Sequence, residues 1–172
     1  MRKTMLMALV VLTAGLCAHA QQPAPAKARP DFSGTWVFDT AKSMKPGPDN
    51  KIVASAIFGE ECAIAQDAKA LSLAIKAGEL RVNVVYKLDG TESRNMSPGA
   101  LGQPDVPVTS KLSWEGSKLV IDSSSTSITG GKPVQVETRR TLWLDEEGSL
   151  MIERTGSKAS GIIPTRGAYK KK

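Results

Sequence analysis

The stretch Leu71-Ser72-Leu73-Ala74-Ile75-Lys76-Ala77-Gly78-Glu79-Leu80-Arg81-Val82-Asn83-Val84-Val85-Tyr86 decides the fold. Leu71, Leu73 and Ile75 alternate with Ser72, Ala74 and Lys76. Leu80, Val82, Val84 and Tyr86 alternate with Arg81, Asn83 and Val85. A period of two puts one set on each face of a strand. Ala77-Gly78 between the two runs predicts a tight turn, so the stretch is an antiparallel hairpin with one apolar face.

The same pattern extends in both directions. Downstream, Asp89-Gly90 is a strong hairpin signal, because both residues tolerate the positive φ that such turns need. Leu112 and Trp114 share a face, and Glu115-Gly116-Ser117 turns the chain. Leu119 and Ile121 open a strand that continues through the serine-rich stretch 123–127, and Gly130-Gly131 turns again. Val134 to Leu144 is the longest strand, with Val134, Val136, Thr138, Arg140, Leu142 and Leu144 on one parity. Glu146-Glu147-Gly148 leads into Leu150–Thr155. After a loop at Ser157–Gly161, Ile162–Lys170 closes the chain, with Pro164 confining its near end to an edge or bulge.

Upstream, Cys62, Ile64 and Gln66 form a short strand. Gly34–Asp39 forms the first, with Trp36 and Phe38 sharing a parity. Residues 42–51 are turn-rich. Residues 52–58 show no alternation and read as a short helix or as a cap over one end of the fold. Residues 95–107, with three prolines and two glycines, read as one long loop. The expectation is an all-β fold. An antiparallel up-and-down meander of about eight to ten strands closes into a barrel, which leaves no open edge and places the first strand beside the last.

The chain has 172 residues. Met1-Arg2-Lys3, the apolar run Met5–Leu16 and Ala18-His19-Ala20 have the form of a secretory signal peptide over residues 1–20. A lipoprotein reading of Cys17 is weakened by Leu16, where a small residue is usual. Residues 21–30 are a Pro/Ala-rich linker, residues 31–170 the barrel domain, and residues 170–172 a basic tail. Of 23 basic and 17 acidic side chains, Arg2 and Lys3 belong to the leader. That leaves 21 against 17, with three of the positive charges in the tail, and no basic patch with interleaved aromatics. Nucleic acid is therefore not an expected partner. No segment is long enough to span a membrane as a helix.

Loss of the leader also removes His19, the sole histidine, and Cys17. A mature chain without histidine builds no Ser-His-Asp or Cys-His site and offers no imidazole to a metal. Cys62 is left alone, either as a buried apolar residue or as a thiol able to pair between chains. Glu60-Glu61 and Asp145-Glu146-Glu147 read as solvated turns. No enzyme, metal or cofactor is expected.

Gly34-Thr35-Trp36 matches the G-x-W motif that opens the first strand of lipocalins. The longer opening Asp31–Trp36, with Asp39 and Ala41-Lys42-Ser43, resembles exported bacterial lipocalin-like proteins. So do Tyr86-Lys87-Leu88-Asp89-Gly90, Lys111-Leu112-Ser113-Trp114, Ile152-Glu153-Arg154 and Tyr169-Lys170. This diffuse resemblance spans most of residues 31–170. It implies an eight-stranded calycin-type barrel in which the G-x-W tryptophan plugs the closed end beneath a late arginine. Arg166 is the favoured partner of Trp36 and Arg154 the alternative, so Gly34, Trp36 and Arg166 are the expected closure residues. The related fatty-acid-binding barrels end on Arg-x-Tyr. Here Arg166-Gly167-Ala168-Tyr169 is one residue longer, so that Arg166 and Tyr169 face opposite sides of a regular strand.

Tyr86, Trp114 and Arg140 are the candidate ligand-binding residues. Arg140 occupies the apolar parity of the longest strand. It is either an interior cation facing an anionic head group, or it is placed outside by a one-residue bulge beside Arg139. Trp36, Trp114, Tyr86 and Trp143 either line a cavity or pack the core. The expected function is a secreted or periplasmic barrel that binds a small hydrophobic or amphipathic molecule, with its mouth near residues 95–107. The alternative is a non-catalytic envelope module with a filled interior.

Overall fold

The computed structural model describes residues 29–44, 52–99, 104–157 and 161–172. The leader, residues 21–28 of the linker and the centre of the 95–107 segment lie outside them. The elements in chain order are β1 (Gly34–Phe38), α1 (Thr40–Ser43), β2 (Val53–Ala54), β3 (Glu61–Gln66), β4 (Ala70–Ala77), β5 (Leu80–Lys87), β6 (Ser93–Ser97), β7 (Val106–Glu115), β8 (Lys118–Thr129), β9 (Lys132–Leu144), β10 (Leu150–Gly156) and β11 (Thr165–Lys171). Ten strands form one antiparallel sheet in the order β5-β4-β3-β1-β11-β10-β9-β8-β7-β6, and β2 lies parallel to β11. The sheet curls into a nearly closed barrel.

The first and last strands pair as expected, with Trp36 opposite Lys171 and Phe38 opposite Tyr169. The hairpin of residues 71–86 turns one residue later than the sequence suggests, because Ala77 pairs with Leu80 and Gly78 takes positive φ. The inward parity carries Trp36, Cys62, Ile64, Leu71, Leu73, Leu112, Leu119, Ile121, Leu142, Leu150, Ile152 and Tyr169, and these form one buried cluster. Burying such side chains is the main stabilising term, at about 1.5–3 kcal/mol each.

The two edges of the sheet are β5 and β6, and side chains close the seam between them. Asn95 Oδ1 accepts from Val85 N (2.9 Å) while Asn95 Nδ2 donates to Val85 O (3.0 Å). Ser93 Oγ accepts from Lys87 N (2.8 Å). These three bonds satisfy β5 backbone groups that would otherwise be a bare edge. Part of the expected loop is therefore strand: β6 runs to Ser97, and β7 begins at Val106.

One end is plugged. Trp36 is buried, and its Nε1 donates to Phe32 O (2.8 Å). Phe32 stacks on Trp114, centroid to centroid 6.1 Å, and Arg29 lies over the outer side of Trp114 at 5.3 Å. The cation over Trp36 is Lys171, at 5.6 Å from the ring centroid, and not Arg166. Gly34, at φ +141°, makes room for this: a Cβ there would stand 2.5 Å from Lys171 Cε. Arg166 points outward and pairs with Glu153 across β10–β11, as its parity in β11 requires. The basic tail is also held. Lys172 N donates to Thr35 O (2.8 Å), and Lys172 Nζ pairs with Glu61 (2.9 Å).

Residues 52–60 form a cap rather than a helix. After β2 the backbone crosses β11 at Gly167, where a Cβ would come 2.5 Å from Ser55 O. Tyr169 pins the cap: its hydroxyl accepts from Phe58 N (2.7 Å) and donates to Gly59 O (3.2 Å). The short helix lies elsewhere, at Thr40–Ser43, where the Asp39 side chain accepts from Lys42 N.

Candidate functional site

Inside the barrel, away from the tryptophan plug, lies a cavity of about 330 Å³. The cap contributes Ile57 and Phe58. The β4–β5 hairpin contributes Ile75, Leu80, Val82, Val84 and Tyr86. Asn95 to Pro98 line it beside the seam, and Val108, Ser110 and Arg140 complete the wall. The volume is at the small end of ligand pockets, and the wall has their usual make-up: mostly apolar, with a few convergent polar groups. The cavity is partly open to solvent; its lining includes the exposed Leu80 at the β4–β5 turn and Ser97-Pro98.

Two of the three candidate residues meet here. β9 runs without the bulge that would have turned Arg140 outward: Arg140 pairs with Ile121 on one side and Arg154 on the other, and both Leu142 and Arg140 face inward. Tyr86 is buried on the opposite wall. Burial pushes its phenol above the usual tyrosine range, and the nearby Arg140 charge acts in the opposite direction. Trp114 does not belong to the cavity. It is part of the plug, because it sits at the β7–β8 turn, the far end of the strand from Ser110 and Val108. Trp143 faces outward, with Lys118 Nζ 4.8 Å from its ring centroid.

Arg166 and Tyr169 face opposite sides of β11, as the extra residue between them implies, and form no clamp. Arg166 is outside on Glu153, and the Tyr169 hydroxyl is committed to the cap. The polar group that the sequence reading missed is Arg154. The register places it directly across from Arg140, with Thr165 on its other side. The Nε atoms of both arginines and the Thr165 hydroxyl are buried with no hydrogen-bonding partner among the described residues. Among the described residues, neither guanidinium has an ion-pair partner. Burial and the neighbouring Arg140 charge both hold Arg154 below the usual arginine range. Next to this row lies a hydroxyl row: Ser93 opposite Ser110, Ser110 opposite Ser123, and Ser123 opposite Thr138. Ser110 Oγ and Ser123 Oγ are 2.8 Å apart.

A second depression, about 540 Å³, lies on the outer face of β7–β10. Its charges largely satisfy one another: Arg139 pairs with Glu115 and Asp122, and Lys111 with Glu92. This is a solvated surface rather than a site.

Cys62 is fully buried, and burial pushes its thiol up to about 12. Only the thiolate attacks disulfides and alkylating reagents. A thiol-reactive dye added to the native protein is therefore expected to leave Cys62 unlabelled, and urea is expected to release one equivalent. Rapid labelling without denaturant would contradict the buried assignment.

In comparisons with known proteins, no family model and no curated protein matches this sequence.

Proposed function

We propose that this chain is an exported, lipocalin-like barrel that binds a small hydrophobic or amphipathic molecule in its interior and is not an enzyme. The observation that carries the reading is the partly open cavity of about 330 Å³, with a largely apolar wall and Tyr86 and Arg140 among its lining. A barrel serving only as a structural module would gain packing energy by filling that space, since voids cost stability. The leader-like residues 1–20 and the G-x-W opening support export and the lipocalin-like assignment. Among the described residues, no helix is long and apolar enough to cross a membrane.

The test is a thermal-shift screen of the mature chain against fatty acids of graded length, retinoids and haem. A ligand at one hundred times its Kd stabilises by about 2.7 kcal/mol, a rise in Tm of several degrees. The expected result is a rise with short- and medium-chain amphiphiles that diminishes as the chain outgrows the cavity. A melting temperature unmoved by every compound would remove the binding reading.

A further inference from the structure

We propose that Arg140, Arg154 and Thr165 form an anion-binding row, and that the molecule held in the barrel is an anionic amphiphile whose head group lies on this row. The inference rests on the binding reading above and specifies its ligand class.

Two guanidiniums on directly opposed positions of neighbouring strands repel each other. Their partial burial weakens the solvent screening that would make this tolerable at a surface. Both arginines are half-buried, with their Nε atoms fully buried, and a charge held partly out of water is costly unless a counter-charge or hydrogen bonds compensate it. Here the counter-charge is missing from the protein side: no acidic side chain among the described residues pairs with either arginine, while Arg166, on the outer face of the same sheet, has Glu153. The unpartnered groups are also consecutive. Arg140, Arg154 and Thr165 follow one another on the inward parity of β9, β10 and β11, so the two buried Nε atoms and the hydroxyl share one stretch of the inner wall, which Arg140 joins to the cavity. Guanidiniums present planar, forked donors that suit carboxylate, sulfate and phosphate oxygens. Thr165 adds a hydroxyl donor.

The surroundings fix the ligand's other end. Arg140 lines the cavity itself, and the opposite side is apolar: Val82, Val84 and Ile75. An anion on the arginines therefore carries its apolar tail toward the β4–β5 hairpin. The small volume restricts that tail to a short or medium chain. Neutral molecules of the same shape would leave the guanidiniums unpaired and bind less well, by the asymmetry that makes an unmade buried hydrogen bond expensive.

The experiment is calorimetric titration of the mature chain with octanoate, 1-octanol and octyl sulfate, each below its micelle concentration. Octanoate is expected to bind at least tenfold more tightly than 1-octanol. Arg140→Gln and Arg154→Gln are each expected to reduce that preference about tenfold. Octyl sulfate binding as tightly as octanoate assigns the row to anions in general, and octanoate alone binding assigns it to carboxylates; both outcomes support the proposal. Equal affinity for octanoate and 1-octanol overturns the anion row and leaves the apolar cavity standing. Binding of none of the three overturns the cavity reading and the row with it. The wild-type comparison decides the matter even if a glutamine variant fails to fold.

Discussion

Trp36→Ala is expected to destabilise the protein by about 3–5 kcal/mol, the range for truncating a buried aromatic. Trp36 is 1% exposed and joins three things that no other side chain could hold together. It fills the closed end of the barrel, its Nε1 anchors Phe32 O, and its face receives Lys171 Nζ. Truncation leaves a void at the plug and removes the ring beneath Lys171, whose contact contributes about 0.5–1 kcal/mol where it is exposed. Urea denaturation followed by circular dichroism measures the loss, and Trp36→Phe, which keeps most of the volume, should recover the larger part. A loss below about 1 kcal/mol in the alanine variant would show that the plug lies outside the cooperative core.

Arg154→Met is expected to act in the opposite direction. In the ligand-free protein it should stabilise modestly, by about 0.5–1 kcal/mol, because the guanidinium is only partly buried and solvent screens much of the repulsion. The cause is the cross-strand pair: methionine keeps a flexible stem beside Ile152 and Thr165 but removes the charge opposed to Arg140. The same substitution should weaken octanoate binding at least tenfold. A site that costs stability when empty and repays it when occupied is a common mark of function. An Arg154→Met protein less stable than the parent would mean that the guanidinium is accommodated without strain, and the argument from repulsion would fail.

Much of this was legible in the sequence. The alternation of residues 71–86 and 112–144 led to an antiparallel barrel, and the parity of Val134–Leu144 led to Arg140 facing inward as one of two readings. Trp36 was legible as a plug only through the resemblance of Gly34-Thr35-Trp36 to the G-x-W motif of lipocalins. Other features were not. Trp114 has the inward parity of Arg140's neighbours, yet it sits at the plug, because parity says which face a residue occupies and not how far along the barrel it lies. Arg166 lost Trp36 to Lys171 for a related reason: β11 pairs Lys171, not Arg166, with Trp36, and Arg166 has the outward parity. The strand β6 was hidden in a stretch rich in Pro and Gly, and Ser93 and Asn95 work there through side-chain bonds that leave no periodic signature.

Period two is a local property. It follows from the backbone of a single strand and is written in the order of polar and apolar side chains, so composition and alternation alone determined the class of fold; that Arg140 faces inward was decided by the unbroken β8–β9 and β9–β10 ladders, which leave no bulge. Register is not local. The pairing of Arg140 with Arg154, and of Arg154 with Thr165, depends on how three strands separated by turns and a loop slide against one another. A one-residue slip would have sent a whole strand's side chains to the other face. Only the closed sheet, in which every ladder constrains its neighbours, brings those three residues into one row and leaves a cavity beside them.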